Sequence, residues 1–133
     1  MNNKILIVSA NYYKEVSKNL ELGAINTLKE HGYEYEVINA PGCFEIPYLI
    51  KKNINNFKGF ISLGCIIKGE TYHFEVIANE TSRKIMELTV EFNVPIGFGI
   101  LTCYDLEQAK IRSDVKQKNK GQEAALACIQ LLK

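Results

Sequence analysis

The chain has 133 residues, 47% of them hydrophobic, and its 16 lysines and arginines nearly balance its 15 aspartates and glutamates. This length fits one domain with a sizeable core, and the balanced charge gives no net field that would gather nucleic acid or acidic lipid. No apolar run approaches the roughly 18 residues of a membrane span, and the run Ile5–Ala10 is too short for a secretory signal. We therefore predict a single cytoplasmic domain over residues 1–133 that binds neither nucleic acid nor membrane.

The first half of the chain predicts a strand, a helix, a second strand and a short helix. An uninterrupted apolar run makes residues 4–9 the first strand. Residues 15–31 have helical spacing of apolar positions, and Gly32 stops this helix. Its buried stripe is predicted to be Val16, Leu20, Ala24 and Leu28. Residues 35–39 form the second strand, and after a turn at residues 40–43 a short helix runs from Pro47 to about Asn53.

The second half predicts two more strands and three more helices. The third strand covers residues 60–67, and a long helix runs from about Phe74 to about Phe92. The inward stripe of that helix is predicted to be Phe74, Ile77, Thr81, Ile85, Leu88 and Phe92. The fourth strand opens at Pro95 and runs to Leu101. Two helices follow, and each begins with a capping-box pattern, Asp105 with Gln108 and Asn119 with Gln122.

Apolar strands separated by helices indicate a parallel sheet that is covered on both faces. We predict the α/β class, with a three-layer α/β/α sandwich around a four-stranded parallel sheet. Ligands bind beyond the carboxyl ends of the strands in such sheets. We therefore expect the functional groups in the loops at residues 10–13, 40–45, 68–73 and 102–104.

The four cysteines do not have the spacing of metal ligands. Cys43, Cys65, Cys103 and Cys128 are far apart, lie in apolar or alanine-rich surroundings and form no Cys-x-x-Cys pair. We expect reduced, mostly buried thiols and no structural zinc site.

The segment GCIIKGETYHFE, residues 64–75, carries the strongest functional signal. It joins a buried strand to a polar loop and then to a helix, with Gly69 in the loop and Thr71 and His73 where the helix begins. Main-chain N–H groups and the positive end of a helix dipole favour an anion there, and a histidine can move protons at neutral pH. The segment predicts acid–base chemistry on a phosphorylated small molecule. By position alone, His73 fits a surface histidine that caps the helix equally well.

Five motifs, in order along nearly the whole chain, resemble those of the lumazine synthase family: PGCFEIP, LGCIIKGETYHFEVIANE, VPIGFGILT, EQAKIR and NKGQEAA. The resemblance implies a flavodoxin-like fold and a transferase of riboflavin biosynthesis. Such an enzyme condenses 5-amino-6-(D-ribitylamino)uracil with 3,4-dihydroxy-2-butanone 4-phosphate and releases 6,7-dimethyl-8-ribityllumazine, phosphate and water. The family uses neither a metal nor an organic cofactor, and its active sites lie between neighbouring subunits of a homopentamer.

The same resemblance assigns His73 to the proton shuttle. It assigns phosphate binding to the main chain of Gly69, Glu70 and Thr71, the Thr71 hydroxyl and the Arg112 guanidinium, which can hold two phosphate oxygens. Lys120 is expected near this site. Without the family, Arg112 fits a solvated residue at a helix end, and Lys120 fits an exposed residue in a first helical turn.

The ribitylaminouracil would contact a second set of residues: Tyr12, Phe44, Glu45, Ile66, Ile67 and Phe98. Tyr12 aligns with the aromatic residue on which the ring stacks in the family, and Glu45 can accept hydrogen bonds from ribityl hydroxyls. Phe98 would come from the adjacent subunit. The side chains of Ile66, Ile67 and Phe98 are expected to belong to the core, whatever their main-chain groups contact.

The chain departs from the family pattern at two places. The family usually has Arg-aromatic-Asn where this chain has Asn11-Tyr12-Tyr13, and Lys68 replaces a common arginine, which keeps the charge but loses the fork. The chain also starts close to its first strand, without the N-terminal extension of many relatives. Assembly beyond a pentamer, into a decamer or an icosahedral shell, is therefore left open.

Two other functions remain possible from the sequence. One is a riboflavin synthase of the archaeal kind, which needs no phosphate site, so the presence of Thr71, His73 and Arg112 argues against it. The other is a non-catalytic scaffold that binds a flavin or a lumazine, and the altered segment at residues 11–13 is its only support.

Overall fold

The computed structural model describes residues 4–133 as a sheet of four parallel strands with helices on both faces. The strands are β1 (Lys4–Ala10), β2 (Glu34–Ala40), β3 (Gly59–Ile67) and β4 (Ile96–Cys103). The helices are α1 (Lys14–Glu30), α2 (Ile46–Lys52), α3 (His73–Glu91), α4 (Leu106–Ser113) and α5 (Lys120–Leu132), and a 3-10 turn at Cys43–Glu45 precedes α2. The predicted flavodoxin-like α/β/α sandwich is confirmed. The predicted domain, residues 1–133, includes residues 1–3, which lie outside the described part of the chain.

The strands pair in the order β2-β1-β3-β4, and every neighbouring pair is parallel. Because β1 and β3 lie inside the sheet, nearly all their residues are buried. The edge strand β2 instead alternates exposed and half-buried positions along most of its length. The prediction that the strands are apolar on both faces is therefore wrong for β2. This strand forms an edge of the sheet, and several of its side chains are exposed to solvent.

Two apolar clusters hold the layers together, one on each face of the sheet. Helices α1, α4 and α5 pack on one face, and α2 and α3 pack on the other. The predicted stripe of α1 is fully buried, and each of its leucines stabilises the fold by about 1.5–3 kcal/mol. The predicted stripe of α3 is buried only from Thr81 to Leu88, and its two ends are half-buried or exposed.

The carboxyl edge of the sheet is stepped. Ser9 pairs with Leu63, so the end of β1 lies level with Gly64, and β3 runs on for about 10 Å to Ile67. The loops after β1 and β2 therefore begin beside the last residues of β3, which extend beyond the ends of both strands. Gly64 permits the 3-10 turn to pack closely against β3, because a Cβ there would lie 2.6 Å from the Cys43 Sγ atom.

The predicted boundaries differ from the observed ones by no more than two residues, but one of the two predicted caps is wrong. At α4 the cap forms, since the Gln108 N–H donates to the Asp105 carboxylate at 2.9 Å. At α5, Asn119 adopts a left-handed conformation with φ of 47°, and its side chain makes no capping bond. Its amide lies instead against α1 at Gly23, which fixes the approach of the two helices.

All four cysteines are free and buried, as predicted. Burial raises the pKa of Cys43 to about 11 and that of Cys65 and Cys128 to about 12, so these thiols are protonated at neutral pH. The absence of a zinc site stays a prediction. Between residues 4 and 133, no helix has both the length and the apolar character that a membrane crossing requires.

Candidate functional site

The edge loop, residues 69–72, joins the end of β3 to the start of α3 and has the properties of an anion site. In the described part of the chain, its main-chain N–H groups donate to no main-chain carbonyl. All four residues are exposed, and they lie at the positive end of a 19-residue helix. Main-chain donors without a main-chain acceptor, next to the positive end of a helix dipole, favour phosphate or carboxylate.

Thr71 and His73 stand at the junction of the edge loop with α3. The Thr71 hydroxyl accepts a hydrogen bond of 3.3 Å from the N–H of His73, the first residue of α3. The His73 side chain is exposed, and its ring makes no hydrogen bond to any residue between 4 and 133. The ring is therefore open to a ligand bound at the edge loop.

The predicted uracil contacts on β1 and β2 lie at the same edge of the sheet. Ala10 pairs with Ala40 at the last rung of these strands, which brings together the loops that carry Tyr12, Phe44 and Glu45. All three side chains are exposed. The Tyr13 ring packs edge-on against the Tyr12 ring at 4.9 Å between centres and supports it from the α1 side.

Ile66 and Ile67, the remaining predicted contacts on β3, are mostly structural through their side chains. Ile66 belongs to the core cluster on the α3 side, and Ile67 packs against the cluster on the other face. These two side chains thus have the structural role expected from the sequence. Only their main-chain groups, at the end of the longest strand, are placed to reach a ligand.

A second concave surface, the β4 cleft, lies along the open edge of the sheet and has a volume of about 270 Å³. Its lining combines part of β4 with side chains of α4 and α5: Phe98, Gly99, Ile100, Leu101, Thr102, Arg112, Lys120 and Glu123. The structure thus brings three predicted site residues into one cleft. Phe98 is 46% exposed there, so the expectation that its side chain belongs to the core is wrong.

Hydrogen bonds and charges orient the cations of the β4 cleft. An Arg112 Nη1 group donates to the Gln108 carbonyl at 3.2 Å, and Lys120 pairs with Glu123 at 3.2 Å. Burial raises the pKa of Cys103, and the nearby Arg112 guanidinium partly opposes this shift. The sequence reasoning missed Glu123, although a carboxylate three residues after a helical lysine is a common pairing signal.

The edge loop and the β4 cleft are separate surfaces of one chain. Of the described residues, those that line the cleft include none from 69 to 73. Phe98 pairs with Ser62, whereas Thr102 pairs with Ile66, so Phe98 lies about 13 Å farther from the carboxyl edge than Thr102. In addition, α3 and α4 pack on opposite faces of the sheet. Within one chain, the cleft therefore extends from Thr102, beside the end of β3, to Phe98, and Arg112 and Lys120 line this cleft rather than the edge loop.

A cavity larger than the β4 cleft lies at the opposite end of the sheet. It has a volume of about 780 Å³ and is lined mainly by residues 54–58 and 92–95. None of the predicted site residues borders it. Since parallel sheets bind ligands at the carboxyl ends of their strands, its size alone does not make it the functional site.

Comparison with known proteins gives one consistent family. The model of the family described as 6,7-dimethyl-8-ribityllumazine synthase matches residues 2–133. A protein with this name from Novosphingobium aromaticivorans is 47% identical over 131 residues, which cover 97% of this chain and 94% of the relative. Proteins with the same name from Erythrobacter litoralis and Bartonella bacilliformis are 45% and 43% identical. They cover 98% and 100% of this chain, with 94% and 92% of their own lengths matched.

Proposed function

Since the chain belongs to the 6,7-dimethyl-8-ribityllumazine synthase family, we propose that it makes this lumazine in riboflavin biosynthesis. The substrates would be 5-amino-6-(D-ribitylamino)uracil and 3,4-dihydroxy-2-butanone 4-phosphate, and the products the lumazine, phosphate and water. The observation that carries the proposal is the edge loop, whose unpaired main-chain donors lie next to an exposed histidine.

The phosphate of the butanone would bind the N–H groups of Gly69, Glu70 and Thr71, with the Thr71 hydroxyl as a further donor. Glu70 would take part through its main chain only, because its carboxylate would repel the phosphate. This mode of binding holds the leaving group at the positive end of α3, where the developing charge of free phosphate is stabilised.

His73 would transfer the protons that the reaction requires. The amine of the uracil adds to the ketone, a water leaves, phosphate is eliminated, and the ring closes with loss of a second water; each step moves a proton. The substrate supplies its own amine nucleophile and its own leaving group. This chemistry can therefore proceed without a protein nucleophile, a metal or an organic cofactor.

The β4 cleft of a neighbouring subunit would complete the site. Arg112 and Lys120 would bring positive charge to the phosphate, and Phe98 would cover the uracil ring from the other side. The position of Phe98, about 13 Å farther from the carboxyl edge than Thr102, supports this arrangement for the ring contact. A surface that faces a different surface of the next copy generates a ring when the rotation between copies closes, and we propose a closed homopentamer.

The uracil partner would lie between Tyr12 and Phe98, with Glu45 on the ribityl hydroxyls and the main chain of Phe44, Ile66 and Ile67 at the ring edge. The exposure of Tyr12 and Phe44 supports this role, because large apolar rings gain from being covered. We further propose that residues 1–133 form one domain and that the enzyme acts in the cytoplasm.

The direct test mixes the purified protein with both substrates and follows lumazine absorbance and phosphate release against a protein-free control. Protein-dependent formation of both products would support the proposal despite the unusual segment at residues 11–13. Turnover of lumazine to riboflavin without any phosphate substrate would instead identify a riboflavin synthase. Tight binding of lumazine, without formation of lumazine and without its conversion to riboflavin, would identify a scaffold protein.

A further inference from the structure

Two charged side chains join the ends of the edge loop. Lys68 directly follows β3, and Glu75 lies in the first turn of α3. Their ion pair spans seven positions of sequence with an Nζ to Oε2 distance of 2.5 Å. The Lys68 ammonium also lies 5.6 Å from the centre of the Phe74 ring. The pair thus encloses the whole segment that contains the edge loop and His73.

The edge loop has few other restraints. Within residues 4–133 its N–H groups make no main-chain hydrogen bonds, and the bond from the His73 N–H to Thr71 is long, at 3.3 Å. A Cβ atom built on Gly69 would touch nothing within 4 Å. A loop with so few contacts needs a further interaction at its two ends if its N–H donors are to keep one arrangement.

We infer that Lys68 and Glu75 are positioning residues, whose ion pair holds the edge loop in the conformation that binds phosphate and presents His73. In this role Lys68 acts through Glu75 and is not itself a phosphate ligand. The inference rests on the proposed function for the identity of the phosphorylated substrate.

The charges of Lys68 and Glu75 allow a charge effect on phosphate binding to be distinguished from a positioning effect, by removing each side chain in turn. Lys68 lowers the pKa of Glu75, with help from the main-chain N–H of Glu75, so the Glu75 carboxyl is ionised at neutral pH. Without Lys68, an uncompensated carboxylate would remain beside the anion site. Without Glu75, an unpaired ammonium would remain there, and charge alone would then tighten phosphate binding. Charge thus predicts opposite effects of the two removals, whereas positioning predicts that both weaken phosphate binding.

The experiment measures binding of inorganic phosphate by calorimetry to the intact protein and to the variants Lys68→Ala, Glu75→Ala and the double variant. Each single variant is expected to bind phosphate about fivefold more weakly, and the double variant no worse, because the two residues act as one unit. The matched control removes the ion pair of Lys4 with Glu36, 2.9 Å long at the other end of the sheet, and should leave phosphate binding unchanged.

Steady-state kinetics separates positioning from loss of structure. Both single variants should raise KM for the butanone phosphate about fivefold and leave KM for the uracil partner unchanged, whereas a damaged fold would move both values. The charge-reversed variant Lys68→Glu with Glu75→Lys should recover part of the loss.

Three results would overturn the inference. These are tighter phosphate binding by Glu75→Ala, a loss of phosphate affinity in the double variant equal to the product of the two single losses, or no phosphate binding by the unaltered protein. If the unaltered protein binds phosphate and the variants respond as expected, but no lumazine forms, the proposed function fails while the positioning role stands.

Discussion

The edge loop is exposed and presents main-chain donors, whereas the β4 cleft is concave and presents long cationic side chains and an aromatic ring. The edge loop lies beside a histidine that can carry protons. The cleft contains Arg112 and Lys120, but neither of the chain's two histidines lines it. The cleft extends from Thr102, beside the end of β3, to Phe98, about 13 Å farther from the carboxyl edge, and the two surfaces draw on helices from opposite faces of the sheet.

This difference suggests that each surface supplies half of one site. Donors from a short loop can aim at a small anion but cannot enclose it, and a cleft with cations can attract the anion but needs an acid or base for the chemistry. If the halves come from different subunits, damage to one half should be repairable by an intact copy of the other.

The largest expected effect comes from the edge-loop half. His73→Ala should lower kcat about 100-fold, because a general acid–base group is lost, with little change in binding of the uracil substrate. The matched control is His31→Ala, which removes the other histidine, at the end of α1 and bonded to the Thr27 carbonyl at 2.9 Å. Both variants should be measured by lumazine formation under saturating substrates. Full turnover by His73→Ala would remove this residue from the mechanism.

A smaller loss of activity is expected when the β4 cleft is altered. Arg112→Ala should lower kcat/KM for the butanone phosphate about 30-fold, since hydrogen bonds from a charged group to phosphate are lost. Inorganic phosphate should also compete less well in this variant. Lys110→Ala, on the same helix but outside the lining of the cleft, serves as the control. Equal competition by phosphate in Arg112→Ala and the unaltered protein would contradict the assignment.

The smallest expected change is the most direct test of the division between subunits. Co-expression of His73→Ala with Arg112→Ala in equal amounts should restore about a quarter of the sites, because that fraction pairs an intact edge loop with an intact cleft. Activity per subunit should therefore rise several-fold above that of either variant alone. Two differently tagged copies of His73→Ala provide the control. Activity no higher than the mean of the parents would mean that each chain builds its own site.

Much of the fold was predictable because its signals are local. Continuous apolar runs marked the strands, helical spacing marked the buried face of α1, and Asp105 with Gln108 marked the start of α4. The errors arose where a distant element decided the outcome. Asn119 does not cap α5 because α1 packs against it at Gly23, and β2 is not buried on both faces because it forms an edge of the sheet.

The same distinction between local signals and long-range packing applies to the candidate site. That a polar loop with His73 follows a buried strand and opens a long helix is readable from the chain alone, since strand, loop and helix are consecutive in it. Which distant residues share a surface follows instead from how the helices pack on the sheet. The register of β4 against β3 sets the level of Phe98, and the packing of α4 and α5 on one face places Arg112 and Lys120 in the β4 cleft. Such placement depends on contacts between residues far apart in the chain, which no local pattern encodes.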